Sequence, residues 1–538
     1  MPSKEWKYKI GQMMVFGFKA DQTSSLSPAI TDLIKEYHIG GVILFGRNIG
    51  RPKEVLALTA KLQAWAKQCN HQQPLFICTD QENGAVRRLG EGTTVFPGAM
   101  LLGAADDEGL AEEIGFLTGK ELKALGINWN LAPTVDVNNN PNNPVIGVRS
   151  FGEDACRVSQ LSRSWMKGLQ KAGVISTLKH FPGHGDTIVD SHLALPTINH
   201  TMERLTELEL KPFQVCINAG ADIVMTSHIH FPVLESKAHT PATLSYSVMT
   251  ELLRNQLGFR GVTTTDCLEM DAISKTTGTA RGAVEAIKAG VDLIMISNLP
   301  ELQYEAIEEI YHAFDQGELT EDMIESSYQR VLSLKNGYLK WAEQNVNQLE
   351  VPSVVGSRQH QEKAIHAMKQ GITLVENKQL LPLSAGSNER VLVVYPENSY
   401  LTMVEDRRFK MHAFSEEIQK IDDNAQSFMI PIEESEKALD RLLEQANQAD
   451  ILIIATVSAS LSPQQQRYIE ALSALNKKIV AVACRVPYDR SLFPYVDAFL
   501  ATYEFHTTAL QIAARVIYGL SEVQGKLPVT ISSSQNES

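Results

Sequence analysis

The chain has 538 residues, 43% of them hydrophobic and 21% charged, the balance of a globular protein with room for two or three domains. Its formal net charge of −14 repels phosphate backbones and anionic lipid, which argues against nucleic-acid and membrane-surface partners. The cysteines (Cys69, Cys78, Cys156, Cys216, Cys267 and Cys484) are scattered with no CxxC pair, the pattern of free thiols in a reducing compartment.

At the N-terminus Lys4, Lys7 and Lys9 precede the apolar run "IGQMMVFGF", but Gln12 interrupts it and no small-residue cleavage site follows. No apolar run reaches the roughly 18 residues of a membrane span. The expectation is a cytoplasmic monomer. Strand patterns then recur: "MMVFGF" from 13, "GGVILFG" from 40, "LFICTD" from 75, "NWNLAP" from 128, "VISTLKH" from 174, "DIVMTSH" from 222, "GVTTTD" from 261 and "DLIMIS" from 292. Helical stretches such as "EVLALTAKLQAWAKQ" separate them, and strict alternation predicts a parallel sheet. Eight such units favour a closed (β/α)8 TIM-type barrel over residues 1–345.

Barrel active sites lie at the C-terminal strand ends, so the residues there carry the functional expectation. The third strand ends in Asp80, the fifth runs into Lys179 and His180, the sixth ends in His228 and the seventh in Asp266. The loop after the fifth strand, "KHFPGHGDTIVDSHLALP" (179–196), packs three histidines and two aspartates onto irregular backbone, which suits a metal site or acid–base chemistry. After the closing helix "SSYQRVLSLKNGYLKWAEQ", residues 346–365 read as a linker and 366–538 as a smaller αβα sandwich domain. Its strands are "ITLVEN", "VLVVYP", "DILIIATVSAS", "KKIVAVACRVP" and "DAFLATYE". None is followed by a glycine-rich phosphate loop, so no nucleotide site is expected there.

Six ordered segments carry a resemblance: "TDQENGAVRRL", "NLAPTVDVNNNPNNPVIGVRSFGED", "KHFPGHGDT", "DSHLALP", "TTTDCLEMDAI" and "AIKAGVDLIM". Together the chain resembles the two-domain form of family 3 glycoside hydrolases, and within them the β-N-acetylglucosaminidases that act on cell-wall muropeptides in peptidoglycan turnover and recycling. The resemblance implies a carbohydrate substrate and Asp266 as nucleophile. It also implies an Asp190–His192 acid/base dyad in place of a glutamate, and a sugar-binding shell of Asp80, Arg88, Arg149, Lys179 and His180. In an extended loop residues i and i+2 project to one side, so Asp190 and His192 can meet. Imidazole then gives and takes a proton near neutral pH while the carboxylate fixes its tautomer. His184, Asp186 and Asp136 are expected to hold loops, and His228 and Met270 carry no assigned role. One departure stands out: Asn83 sits where the family usually has glycine, which puts the shape of the loop after the third strand in question.

No metal and no cofactor is expected. A metallohydrolase using His180, His184, Asp186, Asp190 and His192 would leave Asp266 and Asp80 idle. A phosphorylase of the same fold is the closer alternative, because neutral histidine repels an incoming phosphate less than glutamate would. A sugar-binding protein without turnover would not need Asp266, Asp190 and His192. Substrate-assisted attack needs adjacent acids, and Asp107–Glu108 lies at a helix start away from the strand ends.

Overall fold

The computed structural model describes residues 2–20, 25–188, 195–344, 350–397, 405, 406, 408, 410–433 and 435–531. Eight short parallel strands come first: β1 Met14–Phe16, β2 Gly41–Ile43, β3 Phe76–Thr79, β4 Trp129–Asn130, β5 Thr177–Phe181, β6 Ile223–Thr226, β7 Val262–Thr264 and β8 Ile294–Ile296. Ladders join β8–β1–β2–β3–β4 and β5–β6–β7, and the bridges Trp129↔Ile175 and Thr264↔Leu293 span the two remaining joints, so the pairing closes on itself as a ring. Side chains alternate across each strand. Val15, Ile43, Phe76, Trp129, Ile223 and Met295 meet in one buried cluster inside the ring. Their neighbours Met14, Phe16, Val42, Ile77 and Ile294 pack outward in a second cluster with the surrounding helices. Each such fully buried side chain contributes roughly 1.5–3 kcal/mol. Helix Glu321–Tyr338 reaches the N-terminal ends of the strands, where buried Lys335 donates to Gln12 Oε1 (2.9 Å) and the Gly40 carbonyl (2.7 Å). The C-terminal strand ends are left to carry polar side chains.

Six further strands follow: β9 Thr373–Asn377, β10 Val391–Pro396, β11 Gln426–Ile430, β12 Ile451–Thr456, β13 Lys478–Ala483 and β14 Ala498–Ala501. Their order is β11-β10-β12-β13-β14-β9, parallel except for β9, which runs antiparallel to β14. β10 and β12 are buried at every residue, as strands covered by helices on both faces must be. β11 is a strand that the apolar-run reading does not find. It lies at the sheet edge with Gln426 and Met429 exposed, so it lacks the continuous apolar run of its neighbours. Helix Arg358–Gly371 begins inside the stretch read as linker. Ser357 caps it by accepting from His360 N (3.2 Å), and its buried face of His360, Ala364, Ala367 and Met368 docks it on the first unit.

Candidate active site

The loop after β3 is locked first. Asn130 at the end of β4 accepts from Gln81 N (3.0 Å) and its side-chain amide donates back to Gln81 O (3.0 Å), so Asp80 is fixed between two paired strand ends. Glu82 N then donates to Val86 O (3.1 Å) across a tight turn in which Asn83 has φ +70° and Gly84 φ +55°. Two consecutive positive φ values are the pattern for which Asn-Gly is favoured, since asparagine tolerates the left-handed region. Asn83 therefore fits the turn in place of glycine. Its side chain also accepts from Gln81 Nε2 and donates to Thr118 Oγ1, each at 3.0 Å. Gln81 Oε1 in turn accepts from the amides of Arg88 (2.9 Å) and Leu89 (3.0 Å), which sets where Arg88 leaves the backbone.

A buried ion-pair cluster fills the floor. Arg149, ending the short helical turn Gly147–Arg149, donates two 2.8 Å bonds to Glu82. Lys179 on β5 lies 2.6 Å from Glu82 and 2.9 Å from Asp80. Burial pushes the Asp80 and Glu82 carboxyls up, but Lys179 with Arg88 at Asp80, and Arg149 with Lys179 at Glu82, outweigh it and hold both below the usual range. Burial, then Arg149 and Lys179, pull His180 down to about 3, so its ring is neutral near pH 7. Arg149 Nη2 faces His180 Nε2 at 3.4 Å, which leaves the ring proton on Nδ1, donating to Asp136 at 2.7 Å. Asp136 also accepts from the His184 amide (2.7 Å) and the His180 amide (3.2 Å). Asp136 is thus a loop-holding group, as the sequence suggests.

Asp266 follows β7 and accepts from the Cys267 amide (2.7 Å). Glu269 anchors that turn to the β8 end, accepting from the amides of Ser297 (2.7 Å), Asn298 (2.8 Å) and Leu299 (2.8 Å). His228 is buried beneath it, its ring bonded to Thr243 Oγ1 (2.7 Å) and to the Cys267 carbonyl (3.1 Å). Asp80, Arg88, Arg149, Lys179, His180 and Asp266 all line one cavity of about 360 Å³, together with His184 and Met270. Asp190 and His192 lie outside the described residues. Arg47, Glu269 and Asn298 line the same cavity and were missed by the sequence reading, although Arg47 and Asn298 stand just beyond strands β2 and β8, where the strand-end rule points. Glu82 gives a fainter signal, as the second of two acids in "TDQENG". Among the described residues no group of three or more His, Cys, Asp or Glu is arranged to hold a metal ion. A carboxylate facing a wall of fixed cations, a carboxylate acceptor and a neutral imidazole, in a space of this size, suits a sugar ring whose hydroxyls need both donors and acceptors.

Comparison with known proteins adds independent findings. The model described as "Glycosyl hydrolase family 3 N terminal domain" matches residues 6–334, and that described as "Glycosyl hydrolase family 3 C-terminal domain" matches 372–538. The chain is 34% identical to beta-hexosaminidase A of Pseudoalteromonas piscicida, over 95% of this chain and 92% of that one. It superposes with TM-score 0.90 and 39% identity on a family 3 beta-N-acetylglucosaminidase from Paenibacillus sp. str. FPU-7, covering 98% of this chain and 99% of that one. A beta-glucoside phosphorylase bound to 2FGlc shares the fold at TM-score 0.80 and 23% identity, covering 98% and 97% of the two chains.

Proposed function

This chain belongs to glycosyl hydrolase family 3 and is a glycoside hydrolase of the β-hexosaminidase type, and on that premise we propose that it is a retaining β-N-acetylglucosaminidase releasing N-acetylglucosamine from cell-wall muropeptide fragments. The observation that carries the reading is that Asp266 shares one cavity with Asp80, Arg88, Arg149, Lys179 and His180. The likeness to the beta-N-acetylglucosaminidase of Paenibacillus supports the sugar. We read the strand ring as a (β/α)8 barrel over residues 1–345 and the six-stranded sheet with its helices as an αβα sandwich over 366–538.

In this mechanism Asp80 and Arg88 hold ring hydroxyls, with Arg149, Lys179 and His180 completing the pocket. Asp266 attacks the anomeric carbon, the bond to the departing oxygen breaks, and His192 gives that oxygen its proton. His192 then takes a proton from water, whose oxygen attacks the same carbon and releases Asp266 and the sugar with retained configuration. Asp190 steadies the imidazolium. The test is a panel of nitrophenyl β-glycosides with the first-formed anomer followed by NMR. Preference for the N-acetylglucosaminide and initial release of the β-anomer are expected. Preference for the glucoside or xyloside, or the α-anomer first, overturns the reading. Formation of a sugar 1-phosphate in phosphate buffer identifies the phosphorylase instead.

A further inference from the structure

The loop that carries Arg88 is gripped from the second unit. Between β10 and helix His412–Ile421, Asp406 donates its backbone amide to the Ala85 carbonyl (2.9 Å). Its carboxylate is buried and accepts from Arg408 N (3.0 Å), Nε (2.7 Å) and Nη2 (2.6 Å), which fixes the arginine's direction. Arg408 Nη2 in turn donates to the carbonyls of Leu89 (3.0 Å) and Arg87 (3.3 Å). The two peptide carbonyls flanking Arg88 are therefore held from the second unit, while the amides of Arg88 and Leu89 are held by Gln81 in the first. Behind Asp406, Glu405 pairs with buried Arg485 (2.5 Å), whose Nη1 donates to Ser458 Oγ (2.9 Å), so the grip rests on the second unit's core. A separate contact strengthens it: Glu504, beyond β14, accepts from the Gly98 amide. A Cβ on Gly84 would come within 2.8 Å of Gly98 Cα and 3.2 Å of Glu504 Oε1, so the start of the loop is also closed against this unit.

We infer that Arg408 is a positioning residue for the sugar pocket: oriented by Asp406, it sets the backbone from which Arg88 reaches the substrate, and the second unit thereby tunes binding without touching the sugar. The inference rests on the proposed role of Arg88. A fixed backbone places a bidentate guanidinium where substrate hydroxyls arrive, and a shift of about 1 Å in such a group costs up to about a hundredfold. The loss of one charge-assisted bond corresponds to about tenfold.

The experiment is a double-mutant cycle on the full chain with Arg408→Ala, Arg88→Ala and the double variant, plus Arg408→Lys. KM and kcat are measured on 4-nitrophenyl N-acetyl-β-glucosaminide, and the affinity of N-acetylglucosamine is measured by calorimetry. Arg408→Ala is expected to raise KM and weaken N-acetylglucosamine about tenfold while kcat changes less than about threefold, with Arg408→Lys recovering part of the loss. In the Arg88→Ala background the same substitution is expected to change affinity less than about twofold. An unchanged KM, or a full tenfold effect that persists without Arg88, overturns the inference. Should Arg408→Ala fold poorly by near-UV circular dichroism, Arg408→Lys and Asp406→Asn carry the same cycle. If the wild type prefers another glycoside, the activity reading fails by itself, and the cycle run on that glycoside still decides the coupling between Arg408 and Arg88.

Discussion

Replacing Glu82 by glutamine tests whether the pocket floor is held together by charge. The carboxylate takes two bonds from Arg149 and one from Lys179, and all three side chains are nearly sealed from water. Glutamine keeps the shape but leaves two buried cations with one fewer anion, and breaking a buried pair in this way costs about 3–5 kcal/mol. The first family model spans residues 6–334, and at about 2.1 cal/mol/K per residue a unit of that size unfolds with an entropy of roughly 0.7 kcal/mol/K. The melting transition of the first unit is therefore expected to fall by about 4–7 °C at pH 7. The folded-state pKa of Glu82 lies below its usual value, so its contribution is complete above about pH 4.5 and is lost as pH falls through the folded value. The gap between wild type and Glu82→Gln is then constant from pH 8 to about 5 and narrows below that. Scanning calorimetry across pH 3.5–8 measures it, with kcat/KM expected to drop about a hundredfold as Arg149 and Lys179 lose their anchor. A gap under about 1 °C at pH 7, or one that widens as pH falls below 5, refutes the ion-pair account.

Asp266→Asn is expected to leave the melting temperature unchanged and to reduce turnover by at least about 10⁴-fold, because in the proposed mechanism Asp266 supplies the attacking oxygen; a variant keeping a tenth of the activity shows that another residue attacks. His192→Ala is expected to lose far more on a muropeptide, the proposed substrate, than on nitrophenyl substrate, to accumulate glycosyl-enzyme visible by intact mass, and to be rescued by azide, which needs no base. Equal losses on both substrates with no azide effect place the acid/base elsewhere. Asn83→Ala is expected to melt below Asn83→Gly by the equivalent of about 1 kcal/mol, since alanine resists the positive φ that glycine accepts while both lose the same side-chain bonds.

Much of the candidate pocket's lining was legible because parallel α/β architecture ties sequence to position. Short apolar or β-branched runs giving way to a polar residue mark a strand entering the functional face: Asp80 and Asp266 stand just beyond β3 and β7, and Lys179 and His180 lie near the C-terminal end of β5. The edge strand β11 was not legible, because its Gln426 and Met429 are exposed and it lacks a continuous apolar run, whereas β9 at the other edge carries the run "ITLV". The start of helix Arg358–Gly371 was obscured for a different reason: its cap, Ser357, follows the glycine- and proline-containing text "VPSVVG", which reads as loop until the buried positions of the helix are seen.

Glu82 shows where residue-by-residue reading stops. Its role depends on Arg149, brought in by the loop after β4, and on Lys179 from β5, and neither separation in sequence indicates that three charges will share one buried volume. The same holds for Arg408, which lies more than three hundred residues from the carbonyls it holds. A binding group that contacts substrate can be inferred from strand-end position and residue chemistry. A group that works by orienting the first can be inferred only once the fold has set their distance. In this protein such groups are drawn from both units, so the consequence of changing one depends on whether the residue it orients is present, and that dependence is what a coupled pair of substitutions measures.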